Sequence, residues 1–230
     1  MSQPPDGPFA DRTFAAVLFD LDGTLVDSIG AVERSWTTWC AERGIDPRVL
    51  ARFHGMPART AIAQLVAPEE VETAFRRLED LEVADLLGVH ALPGAVEALA
   101  ALGPGRAAIA TSGTRPLYAA RVAASGLPEP AVTVTASDII HGKPDPEPYQ
   151  RAAALLGVDP AECLVVEDAP NGLVAGHAAG AATLAVLGTA TREELAATGA
   201  ADAIVEGVGE VRFEVTGAGG IRVHWASTAK

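Results

Sequence analysis

Short apolar runs recur along the chain and predict buried β-strands. They lie at residues 15–19, 107–110, 132–134, 163–166 and 182–186. Runs of this length that are apolar throughout are typical of strands buried on both faces of a parallel sheet. Helical patterns separate them at residues 94–102, 116–125, 146–156 and 172–179. This alternation predicts an α/β protein with a doubly wound parallel sheet and right-handed crossovers.

The segment between residues 29 and 88 departs from this alternation. Its apolar residues follow helical spacing, and it contains no convincing strand. We expect an all-helical insertion that the chain enters just after Asp27 and leaves through residues 90–94. The predicted domains are a core formed by residues 1–28 and 89–230 and a small helical domain formed by residues 29–88.

The end of the chain has a third pattern. Residues 211–215 and 221–225 alternate apolar with polar side chains, and the glycine-rich residues 217–220 separate them. This arrangement predicts a β-hairpin. We expect the hairpin to lie antiparallel at the edge of the sheet.

Charge and composition narrow the range of partners. The net charge of −13 argues against nucleic acid, because binding a phosphate backbone needs clustered Lys and Arg. Residues 169–191 are uncharged, but Pro170, Asn171 and several glycines favour a helix, a turn and a strand over a membrane span. Residues 1–12 do not resemble a secretory signal. We expect a cytoplasmic monomer or weak homodimer with a small-molecule partner and no membrane partner.

Two aspartates follow the first predicted strand. Asp20 and Asp22 lie within the sequence FDLDGTLVDS, at the strand's carboxyl end, where open α/β sheets bind ligands. Gly23 permits the sharp turn that would bring both carboxylates to one site. One carboxylate could attack phosphorus and form an acyl phosphate, and the other could act as general acid and base. A loop that only caps a helix could carry the same residues.

Two further loops carry groups that could bind an anion. Thr111, Ser112 and Gly113 follow another predicted strand and open a helix, where a hydroxyl and free backbone N–H groups form an anion cradle. Ordinary N-capping has the same appearance. Lys143 lies among prolines that restrict its backbone, and it could neutralise both a phosphate and the Asp20 carboxylate.

Adjacent acids at Glu167 and Asp168 end another apolar run. Carboxylates are hard oxygen ligands and suit Mg²⁺, which takes few protein carboxylates. We expect Asp20 and Asp168 to bind Mg²⁺ through their carboxylates. The backbone carbonyl of Asp22 would supply a further ligand.

Together and in this order, the four motifs resemble those of the haloacid dehalogenase superfamily. The resemblance covers residues 15–214, and the first motif is highly specific. It implies a Rossmann-like core and a small helical cap that closes over a substrate and excludes water. The roles that the resemblance implies are nucleophile for Asp20, general acid/base for Asp22, phosphate binding for Thr111 and Lys143, and a direct or water-mediated metal role for Glu167.

Within the superfamily, individual residues favour hydrolysis of phosphate esters. True dehalogenases lack an acid at the position of Asp22. Phosphonate hydrolases need a lysine in the cap, whereas Lys143 and the terminal Lys230 are the lysines of this chain. Mutases similar to β-phosphoglucomutase carry a histidine at cap entry, where this chain has Val32.

We therefore predict a Mg²⁺-dependent phosphatase that acts on small sugar or polyol phosphates through an aspartyl-phosphate. The alternatives are a hexose-phosphate mutase similar to β-phosphoglucomutase and a non-catalytic module that binds phosphorylated metabolites. Incubation with β-glucose 1-phosphate and a bisphosphate activator separates the first alternative, and the presence of all four motifs argues against the second.

The helical insertion offers candidate substrate contacts. Glu33 could hydrogen-bond substrate hydroxyls, or it could be a solvated helix charge. His54 and Arg59 flank a Gly-Met-Pro turn that could project into the site. Arg59 could bind an anionic or hydroxylated substrate, whereas His54 could equally be structural.

Overall fold

The predicted apolar runs become β-strands in the folded chain. A computed structural model describes residues 7–53 and 57–225 of the protein. In chain order, its strands are β1 (Ala16–Phe19), β2 (Val26–Asp27), β3 (His90–Ala91), β4 (Ala107–Ala110), β5 (Val132–Val134), β6 (Cys163–Glu167), β7 (Ala182–Val186), β8 (Ala203–Val205), β9 (Val211–Val215) and β10 (Ile221–Trp225).

Six of these strands form one parallel sheet in the order β5-β4-β1-β6-β7-β8. Strands β1, β4, β6 and β7 are buried along their whole length, which explains why their sequences are apolar throughout. The order places β1 between β4 and β6. The carboxyl ends of these three strands therefore lie side by side.

Helices connect the strands and cover both faces of the sheet. They are α1 (Ile29–Glu42), α2 (Ala58–Ile62), α3 (Val71–Ala84), α4 (Ala95–Leu102), α5 (Arg115–Ser125), α6 (Glu147–Leu156), α7 (Pro170–Ala178) and α8 (Arg192–Ala197). Val17 and Phe19 of β1 join one apolar cluster, whereas Ala16 and Leu18 join another on the opposite face. The doubly wound α/β fold is thereby confirmed. Among the described residues, the helices are too short or too polar to cross a bilayer.

The helical insertion builds a small core of its own. Side chains from α1, α2 and α3 meet there, including Trp39, Ile62 and Leu78. The Trp39 indole Nε1 donates to the Ala74 carbonyl over 2.8 Å, which ties α1 to α3. Strands β2 and β3 pair antiparallel where the chain enters and leaves the insertion. The division into domains at residues 29 and 88 remains a prediction.

The C-terminal hairpin forms as predicted, but its expected position at the sheet edge is wrong. Strands β9 and β10 form a separate two-stranded antiparallel sheet, and β8 occupies the edge of the main sheet. The buried side of the hairpin includes Phe213, whose ring meets Phe19 of β1 edge-on at 5.8 Å. The hairpin also packs against α4. Its apolar side therefore covers a face of the main sheet.

Candidate active site

The predicted motifs lie at neighbouring strand ends. Asp20 directly follows β1, Thr111 directly follows β4, and Glu167 is the last residue of β6. Since β4, β1 and β6 are adjacent and parallel, these residues emerge at the same edge of the sheet. The fold thus brings together motifs that lie far apart along the chain.

Lys143 joins two of these motifs. Its Nζ donates to Oδ1 of Asp20 and to Oε1 of Glu167, each over 2.6 Å. The lysine is only 6% exposed, and Asp20 only 7%. A buried ammonium between two buried carboxylates is well compensated, whereas any one of them alone would be costly to bury.

Donors from several parts of the chain hold the Glu167 carboxylate. Oε1 also accepts from the hydroxyl of Tyr149 over 2.9 Å, while Oε2 accepts from the backbone N–H groups of Asp168 and Ala169. A Cβ at position 172 would lie 1.7 Å from Oε1, so the close approach of this carboxylate requires Gly172. Glu167 is therefore fixed in one orientation and in turn fixes Lys143.

Asp168 is held just as firmly from the other side. Its Oδ1 accepts from the hydroxyl of Thr24 over 3.0 Å, and its Oδ2 accepts from the N–H and hydroxyl of Thr189 over 2.8 and 2.6 Å. Gly23 has φ +91°, and a Cβ there would lie 2.2 Å from Oδ2 of Asp168. The turn after β1 therefore needs glycine both for its backbone conformation and for this contact.

Burial and mutual repulsion dominate the electrostatics of the cluster. Burial raises the pKa of Asp20 well above its ordinary value, with Lys143 opposing the rise and the carboxylates of Glu167 and Asp168 adding to it. Burial, followed by the charge of Glu167, raises the pKa of Asp168 to about 6. Burial would lower the pKa of Lys143, but Asp20 and Glu167 outweigh it, and the pKa lies well above its ordinary value.

The donor set of the cluster fits a divalent cation. Oxygens of Asp20, Glu167 and Asp168 lie within 4.8 Å of one another in a buried setting. The ammonium of Lys143 contacts two of these three carboxylates, those of Asp20 and Glu167, and the cluster carries an excess of negative charge when all are ionised. Clustered carboxylate oxygens with excess negative charge are the environment that Mg²⁺ prefers.

Asp22 contacts a different group. Its Oδ1 lies 3.2 Å from Nε of Arg121, a fully buried residue of α5. The N–H of Arg121 is not aligned for a hydrogen bond, so the contact is an ion pair. The structure brings Asp22 to the same loop as Asp20, but its carboxylate pairs with Arg121 and not with Lys143.

The predicted phosphate loop is partly buried. Thr111 is only 2% exposed, and its Oγ1 accepts from the N–H of Gly113 over 3.0 Å. Ser112 between them is exposed. This loop leads to α5, with Thr114 directly before the helix. Binding of phosphate by Thr111, Ser112 and Gly113 remains a prediction.

Among the candidate contacts in the insertion, the structure describes Glu33 and Arg59. Glu33 is exposed on α1. Arg59 forms an ion pair with Glu72 and lies 4.3 Å over the ring of Phe75, with its side chain 53% exposed. His54 lies outside the described residues. Substrate contact by these three residues remains a prediction.

Sequence reasoning missed several polar groups that shape the site. Thr24 and Tyr149 occur inside recognised motifs but had no role assigned, and Thr189 and Arg121 lie outside them. An Arg on a helix next to alanines gives no local sign of burial. A hydroxyl three residues after a predicted strand, as at Thr189, is the one signal that could have pointed to the strand-end site.

Replacing Tyr149 with phenylalanine should weaken both stability and turnover. The ring would still pack beneath Lys143, but Oε1 of Glu167 would lose a buried donor. Loss of a hydrogen bond to a charged group should lower the free energy of unfolding by about 1–3 kcal/mol. Denaturant unfolding and kcat measure the two effects. Tyr118→Phe, which removes a hydroxyl that accepts from Thr133, is the matched control, and an equal effect in both variants would contradict this role.

Comparison with known proteins identifies relatives over about three quarters of the chain. The chain is 46% identical over 175 residues to hexitol phosphatase A of Escherichia coli, covering 74% of this chain and 81% of that protein. It is 34% identical over 194 residues to glycerol-1-phosphate phosphohydrolase 1 of Saccharomyces cerevisiae, covering 78% and 76%. The resemblance to sugar-phosphate and glycerol-phosphate phosphatases is thus confirmed at the level of sequence.

A solved structure and a family model agree with this relationship. CbbY from Rhodobacter sphaeroides, solved in complex with phosphate, superimposes with a TM-score of 0.74 at 26% identity, covering 86% of this chain and 96% of that chain. The model of the haloacid dehalogenase-like hydrolases matches residues 14–180, which is more than half of the chain and includes Asp20, Lys143 and Asp168. The protein therefore belongs to the haloacid dehalogenase-like hydrolase family.

Proposed function

We propose that the protein is a Mg²⁺-dependent phosphatase that hydrolyses small sugar or polyol phosphates through an aspartyl-phosphate at Asp20. The observation that carries this proposal is the buried contact of Lys143 with Asp20 beside Asp168. A carboxylate held by an ammonium at a strand end is positioned to act as a nucleophile toward an anionic ester. Relatives that are phosphatases of hexitol and glycerol phosphates support the substrate class.

The residues that would hold Mg²⁺ are Asp20 and Asp168 through their carboxylates and Asp22 through its carbonyl. Glu167 already accepts hydrogen bonds from Lys143, Tyr149 and two backbone N–H groups, so a water-mediated role fits it better than direct ligation. The bound ion would neutralise charge on the phosphate and polarise the phosphoryl oxygens.

The side chains divide the chemistry between them. Lys143 offsets the negative charge of Asp20 and of the incoming phosphate, which lets a carboxylate oxygen of Asp20 approach phosphorus. As that P–O bond forms, the bond to the leaving oxygen breaks and Asp22 donates a proton to it. Asp22 then takes a proton from water, which attacks phosphorus and releases Asp20.

Binding of the substrate would involve both parts of the fold. Thr111, Ser112 and Gly113 would bind phosphate oxygens at the start of α5. Glu33, His54 and Arg59 are the candidates for contact with the sugar or polyol, and the helical insertion would act as a cap that excludes water.

A screen of phosphate esters tests this function. The purified protein should release inorganic phosphate from hexitol phosphates and glycerol 1-phosphate in the presence of Mg²⁺, and an Asp20→Asn protein should not. Conversion of β-glucose 1-phosphate to glucose 6-phosphate without release of phosphate would instead establish the mutase. If the protein converts none of these esters, the remaining alternative is a non-catalytic module that binds phosphorylated metabolites.

Removal of the metal should abolish turnover. Without a cation, excess negative charge of the cluster opposes the approach of an anionic phosphate. Treatment with EDTA should therefore reduce phosphate release to background, and added Mg²⁺ should restore it. Full activity after exhaustive chelation would contradict the proposed metal dependence.

A further inference from the structure

Arg121 is a buried cation that the proposed chemistry does not yet use. It lies on α5 and is 0% exposed, and its Nε lies 3.2 Å from Oδ1 of Asp22. Among the described residues, none of its three guanidinium nitrogens has an aligned hydrogen-bond partner. A buried guanidinium is costly unless a negative charge offsets it, and the carboxylate of Asp22 lies beside it.

The two oxygens of Asp22 have different surroundings. Oδ1 is closed to solvent and faces Arg121, whereas the side chain as a whole keeps 29% of its exposure. The contact with Arg121 therefore occupies one side of the carboxylate. Oδ2 is the oxygen that remains available to a group bound in the site.

A second carboxyl group approaches Arg121 from the insertion. Glu82 of α3 is only 9% exposed, and α3 packs against α5. Burial raises the pKa of Glu82 to about 7, while Arg121 lowers it and Asp22 and Glu79 raise it further. The ion pair that the structure records for this guanidinium is the one with Asp22.

We propose that Arg121 is a positioning residue that anchors Oδ1 of Asp22 and so directs Oδ2 toward the leaving group. This inference rests on the proposed phosphatase function. When a carboxylate oxygen of Asp20 bonds to phosphorus, the bond to the leaving oxygen breaks and the proton on Oδ2 moves to that oxygen. In the second step, water attacks phosphorus, its proton moves to Oδ2, and the bond between phosphorus and Asp20 breaks.

The role of Arg121 should depend on the leaving group. An alkoxide is a strong base and leaves slowly without a proton from Asp22, whereas p-nitrophenolate is a weak base and leaves without one. The ratio kcat/KM covers the reaction up to the first irreversible step, which includes departure of the leaving group. Misplacing Asp22 should therefore lower kcat/KM for an alkyl phosphate far more than for p-nitrophenyl phosphate.

The test compares these two esters in the full-length protein. Arg121→Met removes the charge while keeping much of the apolar stem, and Arg121→Lys keeps the charge. For glycerol 1-phosphate, or whichever alkyl ester the wild type prefers, kcat/KM should fall by about tenfold or more beyond the fall for p-nitrophenyl phosphate in Arg121→Met. Arg121→Lys should recover part of this selective loss.

Tyr118→Phe serves as the control for nonspecific damage to α5. Tyr118 is also buried on this helix, but its hydroxyl accepts from Thr133 and does not contact Asp22. This variant should change both esters equally. Thermal unfolding checks that each variant is folded, and Arg121→Lys alone provides the same comparison if Arg121→Met does not fold.

The outcomes separate the inference from the proposed function. Equal losses for both esters in the Arg121 variants would overturn the positioning role while leaving the phosphatase in place. A wild-type protein that hydrolyses neither ester would overturn the phosphatase and this inference with it.

Discussion

Replacing Asp20 with asparagine is expected to lower kcat by roughly 10⁴-fold or more, since an amide cannot form the bond to phosphorus. The change is nearly isosteric, and the amide oxygen can still accept from Lys143. Loss of the nucleophile should therefore leave the surrounding hydrogen bonds in place. Its effect should appear in turnover and not in folding.

Stability should respond in the opposite direction to activity. Burial raises the pKa of Asp20 above its ordinary value of 3.8, so the ionised carboxylate disfavours the folded state at neutral pH. Asparagine removes this charge, and Tm at neutral pH and without metal should be unchanged or higher. Phosphate release and thermal unfolding measure both effects, and retained activity in a fully folded variant would contradict the assignment.

Replacing Lys143 with methionine is expected to lower kcat by about 10²–10³-fold and to destabilise the fold. Methionine can still cover the ring of Tyr149, but Asp20 and Glu167 would lose their shared ammonium. Removing one partner of a buried ion pair costs about 3–5 kcal/mol. We expect a loss of this order in the metal-free protein at neutral pH.

The destabilisation of Lys143→Met should shrink as the pH falls. Lys143 lowers the pKa of Asp20, so its removal raises that pKa further above the ordinary value of 3.8. A group with a raised pKa in the folded state favours folding at low pH and loses this contribution as the pH rises. Denaturant unfolding between about pH 5 and 8 measures the trend. Arg48→Met, at an exposed ion pair, is the control and should show little change at any pH.

The local pattern of apolar residues was sufficient to predict the layered core. Strands β1, β4, β6 and β7 are buried on both faces, so each appears in the sequence as an unbroken apolar run. Because parallel strands end at one edge of a sheet, the strand ends predicted that Asp20 and Asp168 lie together, and the resemblance to the haloacid dehalogenase motifs added Lys143. Their contacts confirm this proximity, whereas their catalytic roles are still proposals.

Features that depend on packing between distant parts of the chain could not be predicted from the local sequence pattern. Strand β8 is short and contributes only Ala203–Val205 to the sheet edge, so the hairpin was wrongly expected there. The alternation of β9 showed that one side is buried, but not which surface it covers. Likewise, the partners of Asp168 at Thr189 and of Asp22 at Arg121 come from distant parts of the chain.

Trapping the covalent intermediate tests the central claim most directly. The wild-type protein and an Asp22→Asn variant, whose water attack should be slowed, are mixed with Mg²⁺ and p-nitrophenyl phosphate, whose leaving group needs no proton from Asp22, and quenched in acid. Peptide mapping by mass spectrometry should find one added phosphoryl group on Asp20, and none in Asp20→Asn. Hydrolysis with no phosphorylated Asp20 in either protein, or with the phosphoryl group on another residue, would contradict the account.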